Sequence, residues 1–220
     1  MRHRVRLKVC CISSIAEANL AIAAGADALG LVARMPSGPG PISDDAIRTI
    51  ATAVPPPIAT FLLTSETDPA AVVEHVLATR VNTVQLVDDT VSPDVYAAVR
   101  SRAPGVRIVQ VIHVRDRSSI DLAVRIAPDV DALLLDSGNP AAAVRELGGT
   151  GRVHDWALSR EIVTHSPVPV FLAGGLNSAN VAQAVHIVHP FGVDLCSGVR
   201  TNGSLDPDKL REFVASLHAV

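Results

Sequence analysis

The sequence has few aromatic residues, few cysteines and no long uninterrupted apolar run. Aromatic residues make up only 3% of the 220, so a packed core has to be built from Ala, Val, Leu and Ile. Three cysteines, two of them adjacent, predict no disulfide framework and favour a reducing cytoplasm. Because no run approaches the roughly 18 apolar residues of a transmembrane helix, no membrane partner is predicted.

Charge of either sign is also modest. The net charge of −3 gives no indication of a nucleic-acid partner. A content of 48% hydrophobic and 19% charged residues is typical of a folded globular protein and excludes a disordered chain. No linker-like change of composition interrupts the sequence, which predicts a single domain over residues 1–220.

Short apolar runs alternate with helical patterns along the whole chain. Runs that are apolar on both faces are typical of strands buried in a parallel sheet. The predicted strands cover residues 6–12, 27–33, 58–63, 83–87, 106–113, 131–135, 168–172 and 192–197. The predicted helices cover residues 15–24, 44–54, 69–79, 93–102, 119–126, 156–165, 180–188 and 207–217.

Eight strand–helix units predict an α/β fold, a parallel eight-stranded (β/α)8 TIM barrel. The alternative is an open doubly wound sheet, which usually has fewer strands and a dinucleotide-binding fingerprint. No G-x-G-x-x-G motif follows the first predicted strand, which favours the closed barrel. In such a barrel the carboxyl ends of the strands meet at one mouth, where chemistry is done.

Glycine-rich turns follow the last three predicted strands. Backbone N–H groups at such turns form anion sites, and the loops after strands seven and eight are the usual phosphate position in this fold. The alternative is that these glycines only make tight turns. The predicted phosphate-binding residues are Gly149, Thr150, Gly151, Gly174, Gly175, Ser197 and Gly198.

Cys10 and Asp136 come at the ends of the first and sixth predicted strands. A thiolate can act as a base and a carboxylic acid as a proton donor when the surroundings tune their pKa values. Either residue alone has a simpler explanation, since Cys10 fits a buried inert position and Asp136 fits a loop cap. Together at one mouth they predict an acid–base pair.

A metal site built from Cys10, Cys11 and His113 is disfavoured. Adjacent cysteines on a strand point to opposite faces, and the spacing typical of zinc ligands is absent. No metal is therefore predicted.

Motifs along the chain occur in the order found in one enzyme family. They are Lys8-Val9-Cys10, Gly25-Ala26-Asp27, Gln85-Leu86, Leu134-Leu135-Asp136, Gly148-Gly149-Thr150-Gly151, Asp155-Trp156, Leu172-Ala173-Gly174-Gly175-Leu176, Asn180-Val181, Asp194 and Ser197-Gly198-Val199. With this set the chain resembles the phosphoribosylanthranilate isomerase family of tryptophan biosynthesis. The resemblance implies an Amadori rearrangement of a phosphorylated sugar, with Asp136 as general acid, Cys10 as general base, and no cofactor or metal.

The sequence departs from the family pattern at several positions near the mouth. Cys11 replaces the glycine of K-I-C-G, and Arg200 replaces the glutamate of S-G-V-E. The arginine of the S-P-R loop, which faces the anthranilate in the family, is missing from the aligned residues 38–40. Arg34 is therefore a candidate substrate contact, as is Gln85 on the fourth strand.

These departures leave two further interpretations open. One is an enzyme of the same family that acts on a different phosphorylated sugar or aminosugar, and the other is a non-catalytic protein that binds a phosphorylated ligand. The retained Cys10 and Asp136 argue against the second. The sequence leaves open whether the protein is a monomer or a homodimer.

Overall fold

The computed structural model describes residues 4–138 and 153–219. Its eight main strands are all parallel and pair in chain order into a closed barrel, in which the first strand also pairs with the eighth. The strands are β1 Arg6–Val9, β2 Ala28–Val32, β3 Ala59–Thr64, β4 Thr83–Leu86, β5 Arg107–His113, β6 Ala132–Asp136, β7 Val170–Leu172 and β8 Gly192–Leu195. The predicted (β/α)8 barrel is confirmed.

Helices follow the strands and cover the barrel from outside. They are α1 Ile15–Ala23, α2 Asp44–Ala53, α3 Pro69–Thr79, α4 Pro93–Arg102, α5 Ser118–Ile126, α6 Trp156–His165, α7 Val181–Val188 and α8 Pro207–His218. Most begin at a side-chain cap, as at Ser14 and Ser43, whose hydroxyl groups accept from Glu17 and Ala46 N–H groups. None of the described helices is long and apolar enough to cross a membrane.

The buried apolar side chains form two clusters, one on each side of the barrel wall. The larger lies between strands and helices and includes Leu29, Leu62 and Phe213, while the smaller fills the barrel interior and includes Phe61 and Leu134. Side chains alternate between the two faces along each strand, so each strand is buried on both sides. This explains the continuous apolar runs in the sequence.

The first strand is shorter than predicted. It ends at Val9, and the chain then turns through Cys11, which has a left-handed backbone conformation with φ of 63°. Sequence analysis also missed a two-stranded hairpin of β9 Arg200–Thr201 and β10 Ser204–Leu205, which lies between β8 and α8. Strands of two residues are too short to give a periodic signal.

Gly192 marks a close approach that the barrel requires where β8 begins. A Cβ atom there would lie 2.7 Å from the Phe171 ring and 3.0 Å from the carbonyl oxygen of Arg6. We therefore expect Gly192→Ala to lower the free energy of unfolding by about 1–3 kcal/mol, the usual cost of overpacking. Urea denaturation measures this change.

Gly105→Ala is the matched control, because a Cβ atom at Gly105 would meet nothing within 4 Å. We expect its stability to stay within about 0.5 kcal/mol of the parent, as for most surface substitutions. Equal stability of the two variants would show that the contact between β7 and β8 is not tight.

Candidate active site

A cavity opens at the carboxyl ends of the strands, as the barrel geometry predicts. It encloses about 750 Å³ of space, counting the part open to solvent. Its lining includes Cys10, Asp136 and Gln85, together with Gly174, Gly175 and Ser197. The structure thus brings together, at one mouth, these residues from five separate segments of the sequence.

Cys10 follows β1 and faces this cavity. Its backbone N–H donates to the carbonyl of Leu195 on β8, and only 6% of the residue is exposed. Burial raises the pKa of the Cys10 thiol to about 11, and the nearby Lys8 ammonium only partly opposes the rise. The thiol is therefore protonated at neutral pH unless a positive charge or a ligand stabilises the thiolate.

Asp136 is the last residue of β6 and lies on the opposite flank of the cavity. Strands β7 and β8 separate it from β1, which leaves space for a ligand between the thiol and the carboxyl group. Its Oδ1 accepts from the backbone N–H of Ser137, which fixes the carboxyl group at the strand end. The arrangement can hold an acid and a base on two sides of one substrate.

The glycines after β7 adopt conformations that favour an anion cradle. Gly174 and Gly175 have φ values of 84° and 62°, which side-chain-bearing residues rarely adopt. Asn180 holds this turn, because its side-chain amide donates to the carbonyl of Gly175. Among the described residues, no backbone carbonyl accepts from the N–H of Gly174 or Gly175, so both remain available to a ligand.

The loop after β8 packs directly against this turn. A Cβ atom at Gly198 would lie 2.3 Å from the carbonyl oxygen of Leu176, so no other residue fits there without a shift of the backbone. Ser197 and Gly198 are thereby placed beside the β7 turn. The predicted residues Gly149, Thr150 and Gly151 lie outside the described part of the chain.

Two buried oxygen atoms in the cavity wall have no partner within the described residues. They are Oε1 of Gln85 and Oδ1 of Asp194, on side chains from β4 and β8 that both line the cavity. A buried acceptor without a donor costs about 1–3 kcal/mol. Both atoms are therefore suited to accept from hydroxyl groups of a polar ligand.

Arg34, the candidate substrate contact, lies outside the residues that line the cavity. The residue is exposed, and its backbone carbonyl accepts from Ser65. Asp88 is buried, its carboxylate accepts from Thr90, and it is not among the residues that line the cavity. Within the described residues, no basic side chain lines the cavity.

The expectation that the chain contains no disulfide is wrong. Cys11 and Cys196 are bonded, with their Cα atoms 6.0 Å apart, and the bond joins the end of β1 to the end of β8. The two residues are 185 positions apart in sequence and meet only because the barrel closes. The cysteine count therefore no longer argues for a reducing compartment.

The disulfide also bears on the disfavoured metal site. Cys11 is not a free thiol, and the Nε2–H of His113 donates to the carbonyl of Val87. In the described ranges, no three His, Cys, Asp or Glu side chains converge in a way that could hold a metal ion.

A partly buried ion pair, missed at the sequence level, supports the loop after β1. The Glu17 carboxylate on α1 accepts from both terminal nitrogens of Arg200, from the backbone N–H of Leu205 and from Ser13. Arg200 in turn donates to the carbonyl of Cys11. Partial burial is outweighed by these donors, which hold the pKa of Glu17 below its usual value.

Comparison with known proteins gives a consistent result. The family model described as N-(5'-phosphoribosyl)anthranilate (PRA) isomerase matches residues 7–216. Proteins named N-(5'-phosphoribosyl)anthranilate isomerase from Methanocella arvoryzae and Halobacterium salinarum are 35% and 38% identical to this chain. The first match covers 95% of this chain and 96% of the relative, and the second covers 96% and 94%.

A solved structure with the same fold contains a bound ligand. It is a phosphoribosyl anthranilate isomerase in complex with reduced 1-(o-carboxyphenylamino)-1-deoxyribulose 5-phosphate. The TM-score is 0.79 at 25% sequence identity, and the match covers 98% of this chain and all of that one.

The disulfide generates a prediction about stability. A disulfide typically contributes 2–4 kcal/mol, and 1 kcal/mol shifts Tm by about 2–4 °C in a protein of 150–250 residues. We therefore expect reduction to lower Tm by roughly 4–16 °C, measured by scanning calorimetry with and without dithiothreitol. Cys11→Ser should show the lower Tm both with and without dithiothreitol. A parent Tm that is the same with and without the reductant would contradict the disulfide.

The exposure of Arg34 generates a second prediction. We expect Arg34→Ala to leave kcat/KM within about threefold of the parent, because surface substitutions away from a site typically change free energies by less than about 0.5 kcal/mol. A loss of tenfold or more, carried by KM, would show that this arginine reaches the substrate after all.

Proposed function

The chain belongs to the N-(5'-phosphoribosyl)anthranilate isomerase family, and we propose that Cys10 and Asp136 carry the reaction of that family in this protein. The reaction is the Amadori rearrangement of N-(5-phosphoribosyl)anthranilate to 1-(o-carboxyphenylamino)-1-deoxyribulose 5-phosphate, an aldose–ketose isomerisation. The observation that carries the proposal is that the thiol and the carboxyl group line one cavity together with the glycine turns after β7 and β8.

Asp136 acts first, as the general acid. Its proton passes to the ribose ring oxygen, the bond from that oxygen to C1′ breaks, and the nitrogen lone pair forms a C1′=N Schiff base. The backbone N–H of Ser137 holds the carboxyl group in place and accommodates the carboxylate that results.

Cys10 acts second, as the general base. The thiolate removes the proton from C2′, and the electron pair of that bond forms a C1′=C2′ double bond while the nitrogen becomes neutral. The enol then tautomerises to the ketone. The positive Schiff base next to Cys10 favours the thiolate in this step, which offsets part of the cost of its burial.

The remaining groups of the cavity match the rest of the substrate. The backbone N–H groups of Gly174, Gly175, Ser197 and Gly198 hold the phosphate. The ribose hydroxyl groups donate to the unpartnered oxygens of Gln85 and Asp194. The cavity wall formed by Val32, Met35 and Leu63 is apolar and suits the planar ring of the anthranilate.

One observation favours the alternative that another phosphorylated sugar derivative is the substrate. The part of the cavity that the structure describes offers no basic side chain to an aromatic carboxylate, and the exposed Arg34 does not supply one. Turnover of phosphoribosylanthranilate by the purified protein decides between the two substrates.

We also propose that residues 1–220 form one domain that acts in the cytoplasm as a monomer or homodimer. A phosphorylated substrate is retained inside the cell by its charge, which supports this location. Sedimentation analysis of the purified protein distinguishes the two oligomeric states.

The acid–base assignment predicts large losses in two variants. We expect Cys10→Ser and Asp136→Asn each to lower kcat by about 10²–10⁴-fold, the range typical of general acid–base groups. The fluorescence of anthranilate-derived substrate and product measures the rate directly.

Asp68→Asn is the matched control for the carboxyl group. Asp68 caps α3 outside the cavity lining, and asparagine is an equally good cap. We expect its rate to equal that of the parent. Near-normal kcat in Cys10→Ser or Asp136→Asn would overturn the corresponding role.

A further inference from the structure

Lys8 is a lysine side chain with no exposure at all inside an otherwise mostly apolar barrel. Its ammonium donates to Oδ2 of Asp194 at 2.7 Å and lies 5.2 Å from the centre of the Phe61 ring. Removing an ammonium group from water costs several kcal/mol even when it is paired. A charge retained at this cost indicates a role that an apolar pair does not provide.

The position of Lys8 suggests what that role is. Lys8 and Cys10 are two residues apart along the same strand direction, so both side chains face the barrel interior. A Cβ atom placed on Gly30 would lie 2.7 Å from Sγ of Cys10 and 3.1 Å from Nζ of Lys8. The thiol and the ammonium therefore converge on the same small space, which a glycine on β2 leaves open.

The other charged groups around Cys10 do not supply this interaction. Asp194 on β8 and Asp136 on β6 are carboxylates and oppose a thiolate. Arg200 donates to the carbonyl oxygens of Cys10 and Cys11, so its guanidinium lies on the backbone side of the loop. Within the described residues, Lys8 is thus the cation that faces the sulfur from inside the barrel.

The charge state of Lys8 fits this role. Burial alone would lower the pKa of Lys8, but Asp194 and Cys10 together raise it above its usual value. These neighbours therefore favour the protonated ammonium form of Lys8. Lys8 can then stabilise a neighbouring anion without itself taking part in proton transfer.

We propose that Lys8 is a positioning residue whose ammonium stabilises the thiolate of Cys10, and that Asp194 holds this ammonium in place beneath the sulfur. The inference rests on the proposed role of Cys10 as base. During the reaction the thiolate takes the C2′ proton and becomes a neutral thiol, while Lys8 and Asp194 keep their protonation states. The Lys8–Asp194 ion pair therefore keeps its charges throughout the proton transfer.

The experiment measures the charge around Cys10 without relying on turnover. In the disulfide-bonded protein, Cys10 is the only one of three cysteines with a free thiol, so alkylation reports on it alone. Iodoacetamide at pH 8 reports the thiolate fraction. The ratio of iodoacetate to iodoacetamide rates reports the nearby positive charge, because the two reagents differ in charge and hardly in size.

Lys8→Met is the main variant. An opposite charge within about 4–6 Å shifts a pKa by about 1–3 units, so loss of the ammonium should slow alkylation by about 10–1000-fold. The preference for iodoacetate over iodoacetamide should fall with it. A purely structural effect on access would slow both reagents equally and leave their ratio unchanged, and that result would overturn the proposal.

Two further variants keep the test decisive. Lys8→Met with Asp194→Asn leaves no unpaired buried charge and should also react more slowly and lose the preference, though less strongly than Lys8→Met, because Asp194 opposes the thiolate. Gln85→Met replaces another long buried polar side chain of the cavity wall without changing charge, and its ratio should match the parent. A parental ratio in the double variant would refute the role of Lys8.

The experiments distinguish a failure of the Lys8 proposal from a failure of the base assignment for Cys10. If Cys10→Ser retains turnover, the proposed function fails, whatever the alkylation rates are. If Cys10→Ser is inactive and Lys8→Met alkylates at the parental rate and ratio, the base assignment stands and the role of Lys8 fails.

Discussion

The ion pair between Lys8 and Asp194 joins the two strands at which the barrel closes. The residues are register partners on β1 and β8, and both charges are buried. Breaking such a pair by removing one member typically costs 3–5 kcal/mol, because the other charge is left without a partner. The closure of the barrel and the surroundings of Cys10 therefore depend on the same contact. We call the junction between β1 and β8 the seam, and Cys10 lies at its carboxyl end.

The seam is reinforced above the ion pair by two further connections. The disulfide joins Cys11 to Cys196, and Arg200 links the carbonyl of Cys11 to the Glu17 carboxylate on α1. Both connections reach Cys11, the neighbour of Cys10 in sequence, and the disulfide itself forms part of the cavity wall. The thiol is thus held by its neighbours in sequence, while its own side chain remains available in the cavity. Asp136, across the mouth, accepts from the N–H and from the hydroxyl group of Ser137.

The fold could be predicted from the sequence because the strands are apolar on both faces and most helices carry local signals such as the caps at Ser14 and Ser43. Cys10 and Asp136 could be predicted to share a cavity because parallel strands end at one mouth. The disulfide could not, since only barrel closure brings together two cysteines 185 residues apart. The exposure of the Arg34 side chain could not be predicted either, because it depends on the conformation of the loop after β2. The buried ion pair of Lys8 could have been predicted from the sequence, because a lysine within a buried strand requires a partner for its charge.

Two of the departures of this chain from the family pattern lie in contact with each other. Cys11 stands where the family has glycine and Arg200 where it has glutamate, and the two are in direct contact, since Arg200 donates to the carbonyl of Cys11. Cys11 also takes a left-handed conformation, with φ of 63°, that glycine adopts without strain and other residues rarely do. The disulfide and the Arg200–Glu17 ion pair both act on the loop that contains this conformation. They hold in place a left-handed backbone that glycine adopts without strain, so the contacts made by Cys11 and Arg200 stabilise the same loop.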